Sequence, residues 1–154
     1  MAKKIISKSI TIQASPEKVW HTLLDDASYR QWTAVFHPGS YAETDWKEGS
    51  KVLFKTQEGD GMVSKVTISR PYEEIRFQHL GVLKNNTEFV DEAATEWQGF
   101  ETYKLKPVGP DTELYIEQDL EEKHVEWFDA TWEKALQKVK ELAEADIPQA
   151  VRAQ

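Results

Sequence analysis

The chain of 154 residues contains no cysteine, so disulfide bonds and thiolate metal sites are excluded. This composition is compatible with a reducing cytoplasm, where we expect the protein to reside. No apolar run approaches the roughly 20 residues that a membrane-spanning helix needs. The opening MAKKIISKSITIQ lacks the apolar core of a signal peptide. We therefore expect no membrane insertion.

Several sequence motifs of known chemistry are also missing. There is no Gly-x-Ser-x-Gly nucleophile motif and no glycine-rich phosphate loop. The four histidines, at positions 21, 37, 79 and 124, do not have the spacing of metal ligands. The acidic runs DEAATE and EQDLEEKHVEWFD do not match a calcium-binding loop. We therefore expect neither a metal ion nor a cofactor.

Positive charge is scarce relative to negative charge. The chain has 19 Lys and Arg against 27 Asp and Glu, a formal net charge of -8. Such a domain is repelled by phosphate backbones and by anionic lipid surfaces. Nucleic acid is therefore excluded as an expected partner.

The chain does contain a clear succession of secondary-structure signals. Residues 5–13 alternate as a strand, and SPEKVWHTLLD then opens a helix in which Ser15 is a good N-cap and Pro16 fits the first position. A short second helix is predicted around DASYRQW. The strand-like segments that follow are KVLFKT, MVSKVTIS, EIRFQHLGV, TEWQGFETYKLKP and TELYIEQDL. The polar segment LKNNTEFVDEA is predicted to be a long loop.

After Glu122 the apolar residues recur at helical spacing. This predicts one long amphipathic C-terminal helix within a single domain of residues 1–145, followed by a frayed tail at 146–154. The predicted fold is α+β, with a curved antiparallel sheet of about six to seven strands whose apolar face is covered by the long helix. Such a wrap often leaves a cavity between sheet and helix.

Segments along nearly the whole chain resemble the START-like superfamily, also called SRPBCC. The likeness is closest to proteins related to the C-terminal domain of the activator of the heat-shock-chaperone ATPase. It is carried by the order and spacing of ASPEKVW at 14–20, Leu23, Trp32, WKEGSKVLF at 46–54, GMVSKVTISRPYEEIRF at 61–77 and TWEKALQKVKEL at 131–142.

The resemblance implies the helix-grip fold, which is found in lipid and hormone carriers, polyketide aromatases and cyclases, and co-chaperone domains. Two features depart from the family pattern. Many relatives carry a Gly-Gly pair where this chain has Gly49-Ser50, and the loop LKNNTEFVDEAATEW is longer and more acidic than usual. Fold alone does not select one function among these.

Strand alternation in residues 95–107 places a carboxylate on the face that looks buried. Trp97, Glu101 and Tyr103 fall on one face of a regular strand. An inward Glu101 must be paired, hydrated or protonated, because burying it bare would cost several kcal/mol. The alternative is a bulge at Gly99, which would turn Phe100 inward and Glu101 outward.

His79 shares a strand face with Ile75 and Phe77. It is either a polar group of a pocket or a histidine bonded to its neighbours within the core, and the second alternative is favoured. If His79 and Glu101 both face inward, they can meet across the cavity and support general acid-base chemistry.

Aromatic residues form the remainder of the predicted site. The resemblance places Trp32 and Phe36 at the cavity mouth, together with Phe128 and Trp127 from the start of the long helix. Trp132 fits ordinary core packing. The complete set of predicted ligand-binding residues is Trp32, Phe36, Phe54, Phe77, His79, Trp97, Glu101, Tyr103, Phe128 and Trp132.

Three functions are compatible with these features. The first is a module that binds a hydrophobic small molecule, apolar, aromatic or lipid-like, without covalent chemistry. The second is an enzyme of the cyclase or aromatase kind that moves protons with His79 or Glu101. The third is a co-chaperone-like domain that binds a chaperone or another protein through its surface.

Overall fold

The computed structural model describes the backbone of residues 3–90 and 99–152 and the side chains of residues 4–90 and 99–145. The elements in chain order are β1 (Lys3–Ile12), α1 (Pro16–Leu24), α2 (Asp26–Thr33), β2 (Tyr41–Glu43), β3 (Lys51–Lys55), β4 (Gly61–Arg70), β5 (Glu74–Lys84), β6 (Thr87–Phe89), β7 (Phe100–Val108), β8 (Asp111–Glu121) and α3 (Val125–Arg152). A single 3-10 turn, Glu122–His124, joins β8 to α3.

All described strands belong to one antiparallel sheet. Its order is β1-β8-β7-β5-β4-β3-β2, and β6 pairs with β5 beside this path. The sheet has eight strands, and the two short ones, β2 and β6, explain the excess over the predicted six to seven. With two helices after β1 and the long α3, the predicted α+β helix-grip fold is confirmed.

The prediction of a long loop at LKNNTEFVDEA is wrong for its first part. Strand β5 runs on to Lys84, and Asn85 and Asn86 make a turn with φ of 49° and 63°. Two consecutive positive φ angles are typical of the tight turns that join hairpin strands, and asparagine tolerates them. The chain therefore returns as β6, which pairs with β5 from Val82 to Lys84.

The two short helices are built as their sequence predicts. The Ser15 hydroxyl accepts a hydrogen bond from the Lys18 amide, 3.2 Å away, and caps α1. The Asp25 backbone follows α1 in extended conformation and starts α2 at once. The side chains of Trp32 and Trp46 donate to the carbonyls of Leu23 and Leu24, so the end of α1 is tied to both α2 and the segment before β3.

Helix α3 packs on one face of the sheet. Its buried stripe consists of Trp132, Ala135, Leu136, Val139 and Ala143. At its first turns the Lys8 ammonium of β1 lies 3.2 Å from Asp129 and 3.4 Å from Glu133, which fixes the helix against the edge of the sheet. The backbone is helical as far as Arg152, and the predicted division into a domain of residues 1–145 and a frayed tail at 146–154 stays a prediction. Among the described helices, none is both long and apolar enough to cross a membrane.

Candidate functional site

A cavity of about 290 Å³ lies between the sheet, α2 and the start of α3. Most of its wall is aromatic or apolar, and these residues are Tyr29, Trp32, Phe36, Tyr41, Phe54, Met62, Tyr103, Phe128 and Trp132. Its polar residues are Thr33, His37, Ser40, Lys55, Thr56, His79, Glu101 and Gln118. Pockets with an apolar wall and a few converging polar groups are the usual architecture of small-molecule sites.

Eight of the ten predicted site residues line this cavity. They are Trp32, Phe36, Phe54, His79, Glu101, Tyr103, Phe128 and Trp132. Trp97 lies outside the described residues. Phe77 is buried, but it does not reach the cavity: its ring packs against Trp46, with a centroid distance of 5.6 Å, and against Phe54 and Tyr103, at 5.5 and 5.7 Å. Strand alternation placed Phe77 on the correct face, but not at the correct depth.

Glu101 faces the cavity, which decides between the two alternatives left open by the sequence. Strand β7 keeps a regular register, with Glu101 between Phe77 of β5 and Gln118 of β8. No bulge inverts the strand at Gly99, whose carbonyl still accepts from the His79 amide at 2.9 Å. Phe100 points to the opposite face, where the Arg76 guanidinium lies 4.1 Å from its ring centroid.

The Glu101 carboxylate is held by three donors. One oxygen, Oε1, lies 3.1 Å from His79 Nε2 and 3.3 Å from Gln118 Nε2, and the other, Oε2, accepts the Tyr103 hydroxyl at 2.8 Å. The Glu101 side chain is 18% exposed, whereas that of His79 is 1% exposed. The expected meeting of His79 and Glu101 is therefore a direct contact inside the protein.

The network continues beyond the carboxylate in two directions. On one side the Ser64 hydroxyl lies 2.7 Å from His79 Nδ1, because a register shift after Val63 pairs Ser64 directly with His79. On the other side Gln118 Oε1 accepts from Trp132 Nε1 at 2.7 Å. A continuous chain of hydrogen bonds thus joins β4, β5, β7, β8 and α3 around the cavity.

The protonation of Glu101 follows from these contacts. Burial raises the pKa of its carboxyl group, but the hydrogen bond and charge of His79 and the hydrogen bond of Tyr103 outweigh burial and leave the pKa below its usual range. Glu101 is therefore a carboxylate at neutral pH. Because a carboxylate only accepts, His79 Nε2 carries a proton and donates to it.

Tyr29 and Tyr103, which both experience the negative charge of Glu101, remain protonated. Burial, followed by the negative charge of Glu101, raises the pKa of Tyr29 and of Tyr103 well above the usual value. Both phenols are therefore hydrogen-bond donors at any physiological pH, and the Tyr103 hydroxyl donates to Glu101.

The outer part of the cavity is edged by charge and by a half-exposed indole. The Lys55 ammonium, on the cavity wall, pairs with Glu43 at 3.2 Å. Trp127 is 52% exposed and contacts the rings of Phe36 and Phe128, at centroid distances of 6.2 and 4.9 Å.

Gln118 is the polar residue that sequence reasoning missed and that matters most here. It alternates with Leu114, Ile116 and Leu120 on the inner face of β8, so the argument that found Glu101 would also have found it. Tyr29 was missed as well. It lies on α2 and reaches the cavity only because that helix folds over the sheet, which no local pattern reveals.

Metal ligation is not supported by the described residues. Within residues 4–90 and 99–145, no group of three or more His, Asp or Glu side chains is arranged to hold a metal ion.

Comparisons with known proteins agree with this architecture. A model of the family described as "Activator of Hsp90 ATPase homolog 1-like protein" matches residues 13–144. The comparison with curated proteins gives no match.

Solved structures share the fold at low sequence identity. A Mesorhizobium loti protein is 16% identical with a TM-score of 0.72, and the alignment covers 92% of this chain and 98% of that one. A Cytophaga hutchinsonii protein is 20% identical with a TM-score of 0.68, covering 96% and 99%. DynU16, a putative protein in the dynemicin biosynthetic locus, is 13% identical with a TM-score of 0.70, and this chain spans 91% of its own length but only 47% of DynU16. At such identities the likeness shows the fold alone.

Proposed function

We propose that this chain, which belongs to the family described as Activator of Hsp90 ATPase homolog 1-like protein, binds a small, largely apolar molecule in the cavity between its sheet and α3. The observation that supports this proposal is the cavity itself. It has about 290 Å³ of space, an aromatic wall, and a bonded carboxylate at one place on that wall.

The wall of the cavity favours an apolar occupant. A ligand whose apolar surface replaces water against the rings of Tyr29, Trp32, Phe36 and Trp132 gains the free energy of burying that surface, roughly 25 cal/mol per Å².

Native mass spectrometry of the freshly purified protein is the first test. A discrete extra mass that is lost on denaturation is the expected result, and it supplies the ligand for identification. Binding is then measured directly with prodan, a neutral naphthalene dye without an O–H or N–H group, whose emission shifts in apolar surroundings.

The matched variants for this test are Phe36→Ala and Phe89→Ala. Phe36 lines the cavity and contacts Trp132 at a centroid distance of 4.9 Å, whereas Phe89 is 47% exposed on β6 and does not line it. Removing the Phe36 ring should weaken prodan binding about tenfold, or 1.4 kcal/mol, a fraction of the energy of burying one phenyl ring. Phe89→Ala should leave the affinity unchanged. Equal affinities in the two variants would mean that the dye binds elsewhere and would refute the proposal.

A second function, acid-base catalysis in the cavity, is favoured by one observation. His79 Nε2 and Glu101 Oε1 lie 3.1 Å apart, within the reach that such a mechanism requires. The lowered pKa of Glu101 argues against it, because a general base is most effective with a pKa near the working pH. A bound molecule that is converted to another species by the wild type, but not by Glu101→Gln, would establish catalysis.

A further inference from the structure

We propose that the molecule held in this cavity carries an O–H or N–H donor at the end that meets Glu101, and that molecules ending in a negative charge are rejected. This inference rests on the proposed function and names the chemical class of its ligand. The cavity suits a ligand with a flat apolar body and one terminal hydroxyl or amine.

The first argument is the accepting capacity of Glu101. A carboxylate offers about four acceptor positions on its two oxygens. Oε1 receives His79 and Gln118, whereas among the described residues Oε2 receives only the Tyr103 hydroxyl. One acceptor position therefore remains on Oε2 of a side chain that is 18% exposed and lines the cavity.

The second argument is charge. Two groups on the cavity wall that can carry positive charge are already engaged: His79 Nε2 is bonded to Oε1 of Glu101 itself, and the Lys55 ammonium is paired with Glu43. Tyr103 and Gln118 donate hydrogen bonds without a positive charge of their own. A second carboxylate placed beside Glu101 would meet like-charge repulsion.

The third argument is the aromatic wall. Tyr29, Trp32, Phe36 and Trp132 present rings to the same space as Glu101. Ring faces attract cations as well as apolar groups. An amine is therefore accepted by both the carboxylate and the rings, and a neutral hydroxyl is accepted by the carboxylate alone.

The test uses four naphthalenes substituted at the same ring carbon: naphthylmethanol, naphthylmethylamine, methylnaphthalene and naphthoate. They share one apolar body and differ only in a neutral donor, a cationic donor, no donor, and an anion. Affinities are measured by displacement of prodan from the wild type at pH 7. The alcohol and the amine should bind about 10 to 100 times more tightly than methylnaphthalene, as expected for a hydrogen bond to a charged group. Naphthoate should bind at least about tenfold more weakly than methylnaphthalene.

The variant Glu101→Gln tests the origin of this preference. It keeps the shape of the side chain but removes the charge, so the four affinities should converge to within about threefold. Glu117→Gln is the matched control. Glu117 also accepts a tyrosine hydroxyl two residues away in its strand, that of Tyr115 at 3.1 Å, but it does not line the cavity. This control should retain the wild-type ranking.

The outcomes separate the two proposals. Displacement by all four compounds with equal affinity would leave the binding function standing and overturn the donor preference, as would a wild-type ranking that persists in Glu101→Gln. If Glu101→Gln fails to fold, the wild-type ranking alone decides. Absence of binding by prodan and all four naphthalenes would overturn the binding function itself, and this inference with it. Tighter binding of the amine than of the alcohol would indicate a cationic ligand, and the reverse order of affinity would indicate a neutral one.

Discussion

Replacing Gln118 by leucine breaks the hydrogen-bond network where it joins the sheet to α3. Gln118 is 4% exposed, accepts from Trp132 Nε1 at 2.7 Å and donates to Glu101 at 3.3 Å. Leucine has nearly the same volume, so the main cost is a buried indole N–H left without a partner, together with one weaker bond lost at Glu101. We expect Gln118→Leu to lower the free energy of unfolding by about 2 to 3 kcal/mol. For a chain of this size that lowers Tm by roughly 4 to 12 °C.

A double-mutant cycle isolates the contribution of the Gln118–Trp132 bond. Trp132→Phe alone leaves the Gln118 side-chain carbonyl without its hydrogen-bond donor and removes apolar area. The double variant lacks both the carbonyl and the indole N–H, so neither is left unpaired. The double variant should therefore lose less unfolding free energy than the sum of the losses in the two single variants, and the difference, the coupling energy, should be about 1 to 2 kcal/mol. Urea unfolding followed by far-ultraviolet circular dichroism is the suitable measurement, since tryptophan emission changes in the variants.

The control pairs Gln118→Leu with Trp46→Phe. Trp46 donates to the Leu24 carbonyl at 2.9 Å and takes no part in the Glu101 network. These two substitutions should be additive to within about 0.5 kcal/mol. Full additivity of the Gln118 and Trp132 substitutions as well would refute the reasoning, because it would mean that the bond between them has no net effect on stability.

Two further predictions concern Glu101 and a glycine. Since the pKa of Glu101 is lowered in the folded state, its contribution to stability is present above the usual carboxyl value of 4.5 and is lost as the pH falls through the folded-state pKa. The difference in unfolding free energy between wild type and Glu101→Gln should therefore shrink on acidification below about pH 4.5, and a difference constant with pH in urea titrations would contradict this. Gly61→Ala should cost more than about 2 kcal/mol in thermal unfolding, because its new methyl group would overlap the Phe54 carbonyl oxygen across the β3–β4 pair. Gly49→Ala, where the methyl group meets no atom within 4 Å, should cost only the roughly 1 to 2 kcal/mol of a positive φ, and equal losses in the two variants would show that the overlap does not matter.

The residues on the inner face of the sheet could be predicted from sequence because side chains along each strand alternate between the two faces. Glu101 and Tyr103 alternate with Phe100 and Thr102, and the structure keeps that phase. Strand alternation predicts which face of the sheet a side chain occupies, but not whether it reaches the cavity. For this reason it assigned Phe77 to the cavity wall, although the rings of neighbouring residues separate it from the cavity.

Other parts of the site depend on tertiary structure. Tyr29 reaches the cavity through the docking of α2, and Ser64 meets His79 through a slip in strand register. Neither feature can be recognised in a short window of sequence. The hairpin turn does have a sequence signal, because Asn85 and Asn86 tolerate positive φ, but the polarity of the surrounding segment led to the prediction of a loop.

The pairing of β1 with β8 has a consequence for how the protein is made. Lys3 lies opposite Glu121 and Ile12 opposite Thr112, so β1 leaves the ribosome about a hundred residues before its partner β8. Bringing such distant segments together costs about 4 kcal/mol of chain entropy by the (3/2)RT ln n relation. During translation β3, β4 and β5 can already form neighbouring hairpins, while β1 remains an unpaired strand and α3 has not yet been synthesised. The cavity is therefore among the last features to be completed, and its walls are exposed to chaperones or to other nascent chains until synthesis has passed α3.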